Sequence, residues 1–229
     1  MRILGKRVNI QMNTVEDNLS DLREEIVPYT PTIIAVTKYF GADKLIEAYN
    51  CGLRDFGENR VQDALTKFLG LPDEVKNNSR FHLIGHLQSN KVKKAVGNFD
   101  LIQSVDSLRL AQLISEVAIQ KGIVQDVLLQ VNNADEETKS GFRVDDLKRD
   151  FKEIISLKGI KVSGLMNIAP IASEEELQVL FKNIADLKSE LEKTYSYELK
   201  ELSMGMSGDY KTALEYGSTM IRIGRKLFT

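Results

Sequence analysis

The sequence is poor in the residues that characterise disulfide-rich, metal-binding and membrane proteins. Its 229 residues include one cysteine, two histidines, four prolines and no tryptophan. A single cysteine, Cys51, excludes an intrachain disulfide and fits a reducing compartment. No run approaches the roughly 20 apolar residues that a membrane helix needs. The first residues also lack the apolar segment of a signal peptide, so we expect a cytoplasmic protein.

The charges nearly balance. The sequence has 31 basic and 33 acidic side chains, which give a formal net charge of −2. Neither a nucleic acid nor a membrane surface is therefore predicted as a partner. Hydrophobic residues make up 42% of the chain, enough for a sizeable core. The length suits one α/β barrel and no linker is evident, so we expect a single domain over residues 1–229.

Short apolar, β-branched runs alternate with longer amphipathic ones. We predict eight strands, at residues 32–37, 55–57, 81–84, 100–103, 126–131, 160–165, 199–202 and 219–223. Between and after them we predict helices at 42–50, 60–69, 89–96, 107–121, 144–157, 173–194 and 209–216. A further amphipathic segment at residues 8–27 precedes the first strand.

This alternation predicts a parallel sheet, because parallel strands need crossover connections. Runs such as TIIAVT and DVLLQV are apolar on both faces, as expected for strands buried on both sides. Eight repeats favour a closed (β/α)8 TIM barrel of the α/β class, with the N-terminal helix as an addition. An open, doubly wound sheet is the alternative.

In such a barrel, functional groups collect at the C-terminal ends of the strands. Lys38 directly follows the first apolar strand. We expect it to be buried at the barrel rim, where loss of hydration lowers the pKa of a lysine and frees its amine to attack an aldehyde. The alternative is a lysine that extends from the rim into solvent.

The seventh and eighth strand ends have the composition of a phosphate site. The segment SMGMSGD offers the hydroxyls of Ser203 and Ser207, with glycines at 205 and 208 that permit close backbone approach. The following helix directs backbone N–H groups to the same place, and Gly224 adds another N–H. Barrels often bind phosphate after strands seven and eight.

Three further polar residues lie in or next to apolar strands. Arg222 needs partners if it is buried, and either an ion pair with Glu58 or a ligand in the barrel mouth would supply them. His82 and His86 share one strand and turn, but no third metal ligand is evident, so no metal is expected. His86 is expected to pack against the ligand or hydrogen-bond to it.

Six segments together resemble a known family. They are AVTK at 35–38, FGENRVQD at 56–63, FHLIGHLQSNK at 81–91, LMNIAP at 165–170, LSMGMSGDY at 202–210 and STMIRIGRKLF at 218–228. In this order they resemble the pyridoxal phosphate homeostasis protein family, whose fold is similar to the N-terminal barrel of alanine racemase. The resemblance covers nearly the whole chain, and its specificity lies in the combination.

The resemblance implies pyridoxal 5'-phosphate (PLP) as the cofactor, held as a Schiff base on Lys38. It implies phosphate contacts at Ser207 and Gly224, with Ser203 and Arg225 nearby.

It also implies that Arg222 faces the pyridine nitrogen. An arginine there keeps the nitrogen unprotonated and weakens the ring as an electron sink. The other positions that match residues beside the ring are Asn59, His86 and Met204.

The sequence favours a carrier over an enzyme. A racemase needs acid–base groups on both faces of the substrate's α-carbon, and we expect the second domain that supplies one of them in alanine racemase to be missing here. We therefore predict a PLP-binding protein of PLP homeostasis, monomeric, with PLP-dependent apoenzymes as possible recipients. The alternatives are a racemase-like PLP enzyme of low or specialised activity, and a barrel that binds another phosphorylated metabolite without a covalent link.

Overall fold

A computed structural model describes residues 14–134 and 140–229. Within them eight parallel strands form a closed barrel in chain order, with β1 paired to β8. The strands are β1 (Thr32–Val36), β2 (Asp55–Glu58), β3 (Arg80–Leu83), β4 (Leu101–Val105), β5 (Gln125–Val131), β6 (Ile160–Asn167), β7 (Glu201–Met206) and β8 (Met220–Ile223). The predicted TIM barrel is confirmed, and the open doubly wound sheet is wrong.

The helices surround the barrel. They are α1 (Val15–Glu25), α2 (Ala42–Asn50), α3 (Val61–Leu69), α4 (Asp73–Asn77), α5 (Val92–Ala95), α6 (Leu108–Gln120), α7 (Val144–Ser156), α8 (Glu174–Tyr195), α9 (Tyr210–Glu215) and α10 (Arg225–Phe228). A 3₁₀ turn, Ser89–Lys91, precedes α5. None of the described helices is long and apolar enough to span a bilayer.

Helix starts follow local capping chemistry. The hydroxyl of Ser107 accepts a hydrogen bond from the Leu110 N–H at the start of α6. Ser173 and Glu176 form a reciprocal capping box at α8, which satisfies backbone donors that have no partner inside the helix. Thr14 caps α1 in the same way. The predicted segment 8–27 is thus helical from Val15, and its residues 8–13 lie outside the described part of the chain.

The apolar side chains form two separate layers because successive residues of a strand point to opposite faces. The larger layer fills the space between sheet and helices and includes Phe56, Phe151 and Phe181. The smaller one lies inside the barrel and consists of Ile34, Leu101, Leu128, Met166 and Met220. The barrel interior is therefore filled by side chains.

Three strands run two or more residues past their predicted ends. β4 reaches Val105, β6 reaches Asn167 and β7 reaches Met206, whereas the sequence predicts ends at 103, 165 and 202. The extra residues include polar or small side chains such as Ser104, which lies at a register shift between Ile102 and Val105 of β4. β7 also contains a register shift between Ser203 and Met206, and apolar patterning alone does not predict such irregularities.

Candidate functional site

A cavity of about 1020 Å³ opens at the C-terminal ends of the strands. Its wall includes seven of the nine residues that the sequence and the resemblance select, namely Lys38, Asn59, His86, Ser207, Arg222, Gly224 and Arg225. They come from the ends of five strands, β1, β2, β3, β7 and β8, as expected for a barrel site.

The backbone beside Lys38 is held by a buried ion pair. The Lys67 ammonium of α3 donates to Glu58 Oε1 at 2.5 Å and to the Thr37 carbonyl at 2.7 Å. The Thr37 hydroxyl donates to the same carboxylate oxygen at 2.6 Å. Glu58 and Lys67 are almost fully buried, so removing either partner would leave a charge uncompensated. The peptide preceding Lys38 is therefore fixed from behind the sheet.

Lys38 itself is exposed at the lip of the cavity. Its ammonium lies 5.0 Å from the centroid of the Tyr39 ring. The predicted burial of this side chain was wrong, because β1 ends at Val36 and Lys38 follows in a turn at the rim. The amine still borders the cavity, but its activation has to be explained without burial.

Arg222 of β8 is buried inside the barrel, with 3% of its surface exposed. One guanidinium nitrogen donates to the Ser203 carbonyl and hydroxyl at 2.8 and 2.7 Å, and the other donates to the Asn167 carbonyl at 2.7 Å. Burial lowers the pKa of Arg222 to about 10, so the side chain is cationic at neutral pH. The predicted alternative of an ion pair with Glu58 was wrong, since Glu58 binds Lys67 on the outer face of the sheet.

The turn between β7 and α9 forms a second part of the wall. The Met206 N–H donates to Asp209 Oδ1 at 2.6 Å, and the Asp209 N–H donates back to the Met206 carbonyl at 3.1 Å. Ser207 and Gly208 lie between them and border the cavity. A Cβ atom added at Gly208 would meet no other atom within 4 Å. Burial raises the pKa of the Asp209 carboxyl.

Ser203 and Met204 do not line the cavity. Both are fully buried. Ser203 lies beneath Arg222, to which it is hydrogen-bonded. Met204 belongs to the apolar layer between sheet and helices. The alternation of side chains along β7 explains both positions: Ser203 contacts the site only through Arg222, and Met204 points away from it.

Sequence reasoning missed a polar group beside His86. Its Nδ1 atom lies 3.0 Å from Asp106 Oδ2 and 3.1 Å from the Ser140 hydroxyl. Asp106 follows the last residue of β4, where the strand-end rule would have found it had that strand not been predicted to stop at 103. Asn132, directly after β5, and Ser140, in the segment before α7, also border the cavity.

The two histidines have different environments. His82 is fully buried and its ring nitrogens face Asp55 and Gln103, whereas His86 is exposed at the mouth. Within residues 14–134 and 140–229, no group of three or more His, Cys, Asp or Glu side chains could hold a metal ion. Cys51 follows the last residue of α2, and burial raises the pKa of its thiol.

Comparison with known proteins identifies the family. The family model described as alanine racemase, N-terminal domain, matches residues 10–229. The chain is 43% identical to a pyridoxal phosphate homeostasis protein of Aquifex aeolicus over 83% of this chain and 86% of that protein. It is 33% identical to one of Schizosaccharomyces pombe, over 95% and 93% of the two chains. The chain belongs to the pyridoxal phosphate homeostasis protein family.

Solved structures agree with this family assignment. The structure of PipY of Synechococcus elongatus PCC7942 with PLP bound matches with a TM-score of 0.85 and 37% identity, over 94% of this chain and all of that one. Alanine racemase of Clostridium difficile 630 matches with a TM-score of 0.75 over 94% of this chain and 56% of its own length. At 16% identity the racemase shares the fold, which is the barrel that the family resemblance implies.

Proposed function

We propose that this chain binds PLP in the cavity, covalently as a Schiff base on Lys38, and serves in PLP homeostasis or carriage. The observation that carries the proposal is the convergence of Lys38, Ser207, Arg222 and Gly224 on one cavity. The names of the relatives and the PLP-bound structure of PipY support it.

The residues of the wall fit the three functional parts of PLP. Ser207 and the backbone at Gly224, where α10 begins, suit the phosphate, since hydroxyls and N–H groups are its usual donors. Gly208 leaves open space next to them. Lys38 supplies the amine for the aldehyde, and Arg222 supplies a donor for the ring nitrogen.

Arg222 favours holding the cofactor over using it. PLP, when bound, supplies an electron sink for carbanion chemistry. Arg222 remains protonated at neutral pH because its pKa is about 10, so it offers only donors to the ring nitrogen. A nitrogen that accepts from arginine stays unprotonated, and the ring then withdraws electrons weakly.

Two of the described tyrosines, Tyr39 and Tyr210, lie next to strand-end motifs. Neither is suited to act as the second acid–base group of a racemase. The Tyr210 hydroxyl donates to Glu25, and burial together with that hydrogen bond raises the pKa of Tyr210. This tyrosine is therefore unsuited to accept a proton at neutral pH. Tyr39 borders the cavity but is 82% exposed, where water competes for any proton that it could transfer.

Trapping of the lysine tests the binding mode. The purified protein loaded with PLP should show an imine absorption band, and borohydride should fix the label on Lys38, as read by peptide mapping. Lys38→Ala should lose the label, because no other amine is proposed to reach the aldehyde. Lys44→Ala is the matched control, since Lys44 is a half-buried lysine of α2 that pairs with Glu47 and lies outside the cavity wall. A label on another lysine would contradict the proposal.

The same proteins distinguish the alternative functions. A carrier should exchange the α-proton of amino acids with solvent no faster than Lys38→Ala does. Rapid exchange that depends on Lys38 would favour the racemase-like enzyme. Tight binding of a phosphorylated compound with no trapped lysine would favour the non-covalent metabolite site.

The biological setting belongs to the same proposal. We infer a cytoplasmic protein that acts as a monomer and passes PLP to PLP-dependent apoenzymes. The exposure of Lys38 at the lip supports transfer, because an acceptor amine can approach it from solvent.

A further inference from the structure

A chain of hydrogen bonds crosses the barrel interior from the cavity to the opposite end. It starts at Arg222, whose guanidinium donates to the Ser203 hydroxyl at 2.7 Å. Ser203 in turn donates to Gln103 Oε1 at 2.7 Å. Gln103 and Ser203 lie on β4 and β7, which are not neighbours in the sheet, so this contact passes through the inside of the barrel.

The chain continues to the N-terminal end of the strands. Gln103 Nε2 lies 3.1 Å from His82 Nδ1, and His82 Nε2 lies 2.8 Å from Asp55 Oδ1. Ser203, Gln103 and His82 are fully buried. Asp55 begins β2, and its carboxylate is partly exposed near Arg80. Five strands thus contribute one residue each.

Hydrogen-bond chemistry fixes the direction of this chain. Arginine only donates and a carboxylate only accepts, so the two ends are unambiguous. Ser203 accepts from Arg222 and therefore passes its single O–H to Gln103. The Gln103 amide nitrogen then faces His82 Nδ1, which must accept. The remaining proton of a neutral His82 lies on Nε2 and is donated to Asp55.

Reversing the central amide would break the chain. If Gln103 turned by 180°, its nitrogen and Arg222 would both donate to Ser203, whose own proton would lose its acceptor. The amide oxygen would then require a proton on His82 Nδ1. Unless His82 took up a second proton, the Nε2 lone pair would face the Asp55 carboxylate. Buried donors and acceptors without partners are costly, so a single arrangement satisfies every group.

The chain of hydrogen bonds also explains how the charged Arg222 is tolerated inside the barrel. Arg222 forms no salt bridge with any carboxylate of the described residues, although the Asp209 carboxylate acts on its charge through space, and a buried charge needs compensation. In the arrangement above, the hydroxyl, the amide and the imidazole each turn their negative end toward Arg222 and their positive end toward Asp55. The three aligned dipoles connect the two charges.

We propose that Asp55, His82, Gln103 and Ser203 act as one positioning unit that fixes the Arg222 guanidinium at the cavity wall. The inference rests on the proposed function in that Arg222 is taken to face the PLP ring. Gln103 is the central member, because it joins the half that contacts Arg222 to the half that ends at Asp55.

Nitrogen NMR of His82 tests the direction of the chain in protein free of PLP. Long-range ¹⁵N–¹H spectra should show His82 as the neutral Nε2–H tautomer at neutral pH, with Nδ1 unprotonated. His82→Asn assigns the signals. A proton on Nδ1 at neutral pH would overturn the proposal, whether or not PLP binds.

Substitution of Gln103 tests the effect on the cofactor. In the PLP-loaded protein, Gln103→Leu should shift the absorption maximum and speed the release of PLP by on the order of tenfold, because Arg222 loses the support of a charge-assisted chain. If this variant does not fold, Ser203→Ala takes its place and should change both readouts in the same direction. An unchanged spectrum and release rate would overturn the proposal.

Gln125→Leu is the matched control. Gln125 is also a buried glutamine, but it takes no part in the hydrogen-bond chain that ends at Arg222. Its side chain accepts from the Gly97 N–H at 2.9 Å and donates to the Phe99 carbonyl at 3.0 Å. The Gln125→Leu variant should destabilise the fold and leave the absorption spectrum of bound PLP unchanged. If Gln125→Leu shifted the spectrum as much as Gln103→Leu does, the shift would be explained by general destabilisation. That result would overturn the positioning role.

The two proposals fail in different ways. If borohydride labels no lysine of the wild-type protein, the proposed function fails while the tautomer of His82 still reports on the chain. If Lys38 is labelled and Gln103→Leu behaves like the wild type, only the positioning unit fails.

Discussion

At the scale of single residues, the position of Lys38 changes the account of its reactivity. Lys38 is exposed at the lip of the cavity, so burial is not the source of its reactivity. Proximity is the remaining source of reactivity, because a cavity that holds the aldehyde beside the lysine raises its effective concentration. The groups that hold the anionic end of PLP should then matter as much as the lysine.

Ser207 tests this view. Ser207→Ala should weaken PLP binding by about 1.5–3 kcal/mol, the usual contribution of a hydrogen bond to a charged group, and should leave unfolding of the PLP-free protein nearly unchanged. Titration with PLP and thermal unfolding give the two values. Ser189→Ala on the exposed face of α8 is the control. Equal PLP affinity in Ser207→Ala and wild type would remove Ser207 from the phosphate site.

At the scale of elements, the β7–α9 turn depends on the backbone of Gly205. This residue has φ of +90°, a conformation that L side chains rarely adopt. A Cβ atom there would also lie 2.8 Å from Tyr210 Cα and 2.9 Å from Ala213 Cβ. α9 therefore packs directly on the strand, which positions Ser207 and Gly208 at the cavity.

A pair of glycine variants separates strain from collision. Gly217 has φ of +81°, and a Cβ there would meet nothing within 4 Å. Gly217→Ala should lower the free energy of unfolding by about 1–2 kcal/mol through backbone strain alone. Gly205→Ala should cost about 3 kcal/mol or more, because α9 must also move. Urea unfolding measures both, and equal losses would contradict the packing argument.

At the scale of the whole molecule, side-chain contacts join α1 to the last two helices, α9 and α10. Glu25 at the end of α1 binds Lys226 at 2.7 Å, Lys211 at 2.9 Å and the Tyr210 hydroxyl. Asn18 adds a hydrogen bond to the Leu227 carbonyl at 3.1 Å. Because α10 starts directly after Gly224, these contacts also support the proposed phosphate site. That residues 1–229 form one PLP-binding domain stays a prediction.

The Glu25 contacts predict a pH dependence. The hydrogen bonds from Lys226, Tyr210 and Lys211 lower the pKa of Glu25 from 4.5 to about 2. A carboxyl with a lowered pKa in the folded state stabilises the fold fully above its unfolded pKa and loses that effect as pH falls. Glu25→Gln should therefore unfold at a lower temperature than wild type at pH 7, and the difference should shrink between pH 4.5 and about 2.

Glu24→Gln is the control for this experiment, since Glu24 is an exposed residue of the same helix. It should follow the wild-type unfolding curve over the whole pH range. A difference between Glu25→Gln and wild type that stays constant from pH 7 to pH 2 would contradict the role of the Glu25 carboxylate.

The sequence by itself determined the architecture and, of the nine predicted site residues, the seven that line the cavity. Alternation of apolar strands with amphipathic helices is a local property of the chain, and eight repeats favour closure of the sheet. The strand-end rule located Lys38 and Ser207, and motif resemblance located Asn59. Both kinds of reasoning work because a barrel brings the C-terminal ends of all its strands to one face.

Only the tertiary structure decided which side chains reach the cavity and what surrounds them. It placed Lys38 in solvent, because β1 ends at Val36 and the lysine follows in a turn, and it placed Met204 behind the sheet, because a shift of one residue along a strand reverses the face of a side chain. It joined Arg222 to Asp55 through Ser203, Gln103 and His82, which are far apart in the sequence. Such contacts form when the sheet closes, and no local pattern in the sequence encodes them.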